Sequence, residues 1–366
     1  MKVKLVVAAV GALMAGGVQA QNSGVTVYGL MDTGIEYLTN AAPAGNGLTR
    51  IPNLTGTLPS RIGFRGTEDL GGGLRALFNL ENGFSPDSGT LNQGGRLFGR
   101  MAFVGLSNQW GTVTLGRQNT MLFWSILDSD ILGPNIYGSA SLDNYIPNAR
   151  SDNSIAYRGT FGGLTVGATY TLGRDAVNAG PSPSGTNCAG ESATDERACR
   201  GWSAMVKYDS PVWGGAVAYD TFNGGPGAFA GLTSSSLSDT RATVNGYVRI
   251  AKAKIGAGVI QRDNEANRAT PKTNLYFVGA SYPLTPALTL DGELFQLDAK
   301  DSPNEATLFA IRGMYAFSKR TQAYVTAGHI RNDGAFNISA SGGANGGNPV
   351  AGGSQTGVMI GVRHFF

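Results

Sequence analysis

From Val25 onward the chain alternates apolar and polar residues with a period of two, segment after segment. Val25, Val27 and Gly29 interleave with Thr26, Tyr28 and Leu30, and the pattern runs on through Asp32 and Glu36. Ala76, Phe78 and Leu80 interleave with Arg75, Leu77, Asn79 and Glu81. Ala242, Val244, Gly246, Val248 and Ile250 interleave with Arg241, Thr243, Asn245, Tyr247 and Arg249. Leu288, Leu290, Gly292 and Leu294 interleave with Thr289, Asp291 and Glu293. Side chains on a β-strand point alternately to opposite faces, so each of these segments has one apolar face and one face that carries charge. No stretch of similar length carries a 3.6-residue stripe with caps, which confines helices to short pieces inside loops. The spacing predicts sixteen strands, near residues 24–39, 60–69, 73–83, 96–108, 111–118, 150–159, 163–172, 200–208, 215–222, 239–250, 254–262, 272–282, 287–298, 306–317, 321–331 and 355–366.

So many strands must go somewhere without leaving an open edge, and the composition narrows the choice. Charged residues are 14% of the chain, against about 25% in an ordinary soluble domain, and there are 55 Gly. Mean hydropathy is −0.07, and no apolar run reaches the roughly 18 residues of a membrane helix. A helical membrane protein is therefore excluded. With 42% hydrophobic residues and a net charge of +3 the chain is not disordered. It has no basic stripe or charge block for nucleic acid, which is not expected as a partner.

The expected connections alternate in length. Short turns fall at 68–72, 108–110, 162–163, 210–213, 251–253, 283–286 and 318–320, and longer links at 40–59, 84–95, 119–149, 173–199, 223–238, 263–271, 299–305 and 332–354. Short turns at one end and long loops at the other describe an up-and-down transmembrane barrel. Closure leaves no backbone N–H or C=O unpaired in hydrocarbon, and only alternate residues need face lipid, so mediocre hydropathy is compatible with a membrane. A secreted β-sandwich would also alternate, but such domains run near about 100 residues. A propeller would show a repeat of about 40–50 residues, which this chain lacks.

The N-terminus reads as an address. Lys2 and Lys4 precede an apolar stretch from Leu5 to Val18, and Val18-Gln19-Ala20 is a cleavage-type site. Residues 1–20 are expected to be a secretory signal and residues 21–366 a single barrel domain. Removing Lys2 and Lys4 from the 28 basic residues leaves 26 against 25 acidic, a balance near zero. Export also places Cys188 and Cys199, which flank ten residues of a Gly/Pro/Ser/Ala-rich loop, where a disulfide is the natural reading. With no second Cys pair and no nearby His, no metal site is expected, nor any cofactor.

Several ordered motifs then resemble the general porins of Gram-negative outer membranes, in their β-proteobacterial branch. They are Val25-Thr26-Val27-Tyr28-Gly29-Leu30-Met31-Asp32, Ser60-Arg61-Ile62-Gly63-Phe64-Arg65-Gly66-Thr67-Glu68-Asp69-Leu70-Gly71, Val104-Gly105-Leu106 with Gly111-Thr112-Val113-Thr114-Leu115-Gly116-Arg117-Gln118, Arg150-Ser151-Asp152-Asn153-Ser154-Ile155-Ala156-Tyr157, and the end Gly361-Val362-Arg363-His364-Phe365-Phe366. The resemblance spans the mature chain. It implies a sixteen-stranded barrel of the outer membrane, a homotrimer, and passive diffusion of ions and small hydrophilic solutes. It also implies that the third long loop folds into the lumen. Here that loop is 119–149, which holds Asp128, Asp130 and Asp143 but no Lys or Arg, and whose Phe123, Trp124, Ile126 and Leu127 could anchor it to the wall.

Opposite an acidic loop the wall is expected to be basic. Parity places Arg61 and Arg65 on the face away from Ile62 and Phe64, Arg75 away from Ala76, and Arg100 away from Met101 and Phe103, so all four are read as lumen-facing. Glu81 shares that face beside Arg75 and is expected to order the cluster, and Arg150 opens the sixth expected strand and is expected to join it. Arg117 shares parity with the outward Val113 and Leu115, and joins the constriction by resemblance alone. Arg on the wall facing Asp on the loop would set a transverse field that tunes selectivity. Val358, Ile360, Val362, His364 and Phe366 are read as outward-facing, and by resemblance the terminal Phe366 is the signal read by the outer-membrane assembly machinery. Membrane lipid and lipopolysaccharide are the remaining expected partners.

An enzyme is the rival from another class. The chain has two His only, His329 and His364, which have no credible meeting point with a Ser and an Asp. A substrate-specific channel would need a ladder of lumen aromatics, for which Tyr28, Tyr247 and Tyr276 are the scattered candidates.

Overall fold

The computed structural model describes residues 24–174, 188, 190–226, 228, 231–342 and 346–366. The expected signal segment 1–20 lies outside the described residues. Sixteen long strands form one antiparallel sheet that closes on itself. They are β1 (Gly24–Leu38), β2 (Arg61–Gly71), β3 (Leu74–Gly83), β4 (Met101–Asn108), β5 (Gly111–Asn119), β6 (Arg150–Phe161), β7 (Leu164–Gly173), β8 (Gly201–Asp209), β9 (Trp213–Asn223), β10 (Ser238–Ile250), β11 (Ala253–Asn264), β12 (Lys272–Pro283), β13 (Leu288–Ala299), β14 (Glu305–Ala316), β15 (Thr321–Asp333) and β16 (Ser354–Phe365). Each pairs with the next. The first half of β1 pairs with β2, from Gly24↔Thr67 to Leu30↔Arg61. Its second half pairs with β16, from Leu30↔Phe365 to Leu38↔Gly357. Backbone bonds between Gly29 and Phe366, 3.2 and 3.1 Å, finish the closure, and a three-residue strand, Leu48–Arg50, extends the sheet beside the end of β1.

The strands start and stop close to where the alternation does, with one displacement. The fourth was expected from residue 96 but begins at Met101, because residues 92–100 form irregular turns. Outward positions carry Val25, Val27, Ile35, Val104, Leu115, Val244 and Ile360, all exposed on the face where lipid would lie. Exposed aromatics gather at the two ends of this face. Trp110, Tyr208, Trp213, Tyr282 and Phe317 ring the short-turn end, and Tyr37, Tyr170, Trp202, Tyr219 and Tyr276 the long-loop end. Two girdles bounding an apolar band are the mark of a membrane barrel. Among the described residues no helix is long and apolar enough to span a membrane.

The apolar core lies inside the barrel, not between layers. The loop joining β5 to β6, residues 120–149, contains α1 (Met121–Ile126), α2 (Ser139–Leu142) and a 3-10 turn at Ile146–Asn148. Its Leu122, Ile126, Leu132, Ile136 and Tyr145 are buried in one cluster with Phe222, Ile260, Phe277, Phe295, Leu308 and Ile330 from the inner faces of β9 to β15. Burying several such side chains, at about 1.5–3 kcal/mol each, is what holds a 30-residue loop in the lumen. The seating needs a close approach at Gly256 of β11, where a Cβ would stand 2.0 Å from the Ser129 carbonyl oxygen. The loop is fixed to β8–β15 and also reaches β1, where the Tyr137 hydroxyl donates to Glu36 at 2.7 Å, so the open part of the lumen lies on the side of β2–β6.

Candidate site: the charged lumen

On that open side two guanidiniums meet one carboxylate, with a third close by. Glu81, near the end of β3, is 2.6 Å from Arg100 Nε and 3.7 Å from Arg61 Nε. The Tyr28 hydroxyl stands 2.9 Å from Glu81 Oε2 and 3.0 Å from Asn79 Oδ1. Arg65, four residues along β2 from Arg61, lies over the Tyr28 ring at 5.0 Å. Burial leaves Arg61 one-fifth exposed at its side chain and Glu81 almost closed, so the solvent-facing charge of the cluster is positive.

Two details of the parity reading need correction. Met101 and Phe103 themselves line the lumen, together with Leu77 and Asn79, while Val104 and Leu106 face outward. Arg100 reaches Glu81 because it precedes β4 and is free of that strand's alternation. Glu81 does not organise Arg75, which lies six residues away at the turn end of β3, exposed and in register with Asp69 and Ser107.

Arg117 lies at a bulge. Between Gly116↔Ser154 and Gln118↔Ser151 one residue of β5, Arg117, is matched against two of β6, so the pairing shifts register there. Gly116 has φ +124°, and a Cβ there would meet the Ala102 carbonyl oxygen at 2.2 Å. Beyond it Arg117 is buried, donating from Nε to the Gly99 carbonyl at 2.7 Å and from Nη1 to Asp152 at 2.5 Å. Arg96 meets the other oxygen of Asp152 at 2.9 Å. Arg150 is fully buried at the foot of the inserted loop, where it donates to the carbonyls of Arg100 at 3.0 Å and Pro147 at 2.9 Å.

The loop aspartates do not meet these arginines. Asp128 pairs with Lys207 of β8 and lies 3.7 Å from Lys254 of β11. Burial works against its ionisation, but Lys207 first and then Lys254 prevail and hold the carboxyl below the usual range. Asp143 takes Arg241 of β10 at 2.8 and 3.2 Å, and Arg241 also meets Asp239, which Arg262 holds from the other side at 2.9 Å. Asp130 accepts from Gly133 N at 2.8 Å and from the Ser139 hydroxyl at 2.6 Å, beside Glu293 of β13. Glu293 accepts from the backbone N–H groups of Ile131 at 3.2 Å and Leu132 at 2.7 Å. Burial raises the Asp130 carboxyl above its ordinary value, with the Ser139 and Gly133 hydrogen bonds opposing. Arg312 of β14 bonds Asp291 at 2.9 Å and the Leu132 carbonyl at 3.1 Å.

Lys207, Arg241, Lys254, Glu293 and Arg312 were passed over in the sequence, although Arg241 and Glu293 sit on strand faces already read as charged. The signal that could have found them is the loop itself. Three acids on a loop with no base of its own require bases on whichever wall receives it. Of the scattered tyrosines, Tyr28 is inward and Tyr247 is buried with its hydroxyl 3.0 Å from Asp209, but Tyr276 is on the exposed face. The histidines lie outside, His329 bonded to Thr356 and His364 to Thr321. Cys188 and Cys199 form a disulfide between β7 and β8, packed with Ala198 and Leu232.

Residues 6–335 match the family model described as Gram-negative porin. The chain is 31% identical to outer membrane porin protein 32 of Delftia acidovorans over the full length of both, and 28% identical to an outer membrane porin protein of Bordetella pertussis, again over all of both chains. Among solved structures it is similar to the anion-selective porin from Comamonas acidovorans, with a TM-score of 0.75 and 26% identity, covering 94% of this chain and 100% of that one.

Proposed function

Since the chain belongs to the Gram-negative porins and is a diffusion channel of the outer membrane rather than an enzyme, we propose that its constriction is a net-positive passage that favours small anions. The observation that carries this is the unequal placement of charge. Arg61 and Arg100 share the carboxylate of Glu81 on the open side, with Arg65 beside them on the Tyr28 ring, whereas Asp130 and Asp143 are buried against the far wall. Only Asp128 offers the lumen a loop carboxylate, and two lysines attend it. A transverse field then arises from a basic wall and a nearly neutralised loop, not from two equal and opposite rows. Arg75 adds positive potential at the turn end, while Arg117 and Arg150 support the wall from within.

In such a passage an anion exchanges part of its hydration for guanidinium N–H donors held in place by Glu81 and Tyr28, and a cation meets an unfavourable potential. Because several donors share the load, an anion is held weakly enough to leave. The protein is proposed to act as a homotrimer, contacting lipid and lipopolysaccharide through its outer face, and to be assembled through the Phe366 end, whose aromatic side chain is half exposed. Purified protein inserted into a planar bilayer is expected to close in three equal steps. Replacing Arg61 and Arg65 together by Gln should shift the reversal potential toward cations, and an unchanged reversal potential would contradict the proposed role.

A further inference from the structure

Between α1 and the wall formed by β3 to β6 lies a cavity of about 290 Å³, near the lower end of the range for small-molecule sites, about 300–1,000 Å³. Its lining is unlike the rest of the open lumen. Leu77, Met101 and Phe103 stand on two neighbouring strands and turn an apolar surface toward water, which costs free energy unless something covers it. Across from them Trp124 of α1 carries the Arg158 guanidinium over its ring at 4.3 Å. Among the described residues Arg158 has no hydrogen bond or ion pair, and no carboxylate lines the cavity. The stacked guanidinium is thus fixed in orientation with its N–H groups unspent. Asn119, almost fully buried at the same cavity, has an Oδ1 that no donor reaches among the described residues.

A fixed cation, a flat apolar surface and one waiting acceptor define a ligand by its chemistry. It is anionic, because the one charged group lining the cavity is a guanidinium. It is aromatic, because the apolar surface is built of ring faces and thioether and branched side chains that bury a flat ring well. It carries a donor that can reach the buried amide oxygen. We propose that this cavity is a lumen subsite for hydroxylated aromatic carboxylates, which occupy it in passing through the channel. The carboxylate meets Arg158, the ring covers Leu77, Met101 and Phe103, and the hydroxyl donates to Asn119. The inference rests on the channel reading, but adds a binding step that charge selectivity alone does not supply.

The test uses the full-length protein in planar bilayers with 4-hydroxybenzoate as the probe, and acetate and benzyl alcohol at equal concentration and ionic strength. Failure to conduct without any probe would count against the channel reading itself. In a conducting channel 4-hydroxybenzoate is expected to interrupt the current in a concentration-dependent way, while acetate and benzyl alcohol do not. Arg158→Gln and, separately, Phe103→Ala should each weaken the block by about tenfold or more, the scale of losing one charge-assisted hydrogen bond or one buried ring. Lys319→Gln, a charge change in an exposed turn, should leave it unaltered. Equal interruption by acetate or benzyl alcohol, or a block that survives both cavity substitutions, would overturn the proposal.

Discussion

At the scale of single residues, charge in this lumen is decided by who holds whom. Arg241 is buried between Asp143 of the inserted loop and Asp239 of its own strand, and it packs on the Tyr145 ring at 4.1 Å. Removing one partner of a buried ion pair leaves the other charge without compensation, at a cost of about 3–5 kcal/mol. Arg241→Met is therefore expected to lower the temperature at which β-structure is lost, measured by circular dichroism in detergent, and an unchanged transition would show that the pair is not needed. Asp130 behaves in the opposite sense, since burial raises its carboxyl above the ordinary 3.8. For an acid with a raised folded-state pKa, the unfolded chain loses its proton first as pH rises. Seating of the loop is thus firmest in acid and weakens from about pH 4 up to the raised value. Arg312, Glu293 and Ser139 face the same carboxyl and set where that window ends. Asp130→Asn should flatten this part of the pH dependence of thermal stability, and equal slopes for the two proteins would refute the assignment. Little of this was legible in sequence, because Asp143 and Arg241 are 98 positions apart and no local pattern couples them. Arg117 was ambiguous for a different reason, as its parity with Val113 and Leu115 pointed outward while the bulge that leaves it buried beside Asp152 has no local signature in the sequence.

At the scale of elements, strands were readable and the inserted loop only partly so. Alternation placed nearly every strand because a lipid face and a water face impose it residue by residue. It failed at residues 96–100, Arg96-Leu97-Phe98-Gly99-Arg100, where the chain turns before pairing. The apolar residues Phe123, Trp124, Ile126 and Leu127 signalled an anchored loop, and Ile126 is indeed buried while Leu127 remains exposed. What they could not give is which wall receives it. That is fixed by places such as Gly256, whose missing side chain admits the Ser129 carbonyl. Gly256→Val would place side-chain atoms where the loop backbone lies, an overpacking that typically costs about 1–3 kcal/mol. The barrel is expected to assemble but with the loop displaced, seen as a changed and noisier single-channel conductance. Conductance identical to the unaltered protein would mean that the loop does not depend on this contact.

At the scale of the whole molecule, closure answers the difficulty posed by a long alternating chain. A sheet of sixteen strands has no edge when β1 pairs with both β2 and β16, and its apolar outer band needs no helix to cross the membrane. The packed interior of an ordinary domain is replaced by a loop seated on one half of the wall, which leaves the other half to water and solute. The near balance of charge along the mature chain concealed this division. In the proposed reading Asp130 and Asp143 of the loop are consumed in holding it, and bases of the opposite wall are left to face the passage. The zero-current potential of the unaltered protein in a bilayer under a potassium chloride gradient tests that account most directly. Its sign is expected to report greater permeability to chloride than to potassium, and a potential near zero or of the opposite sign would contradict it.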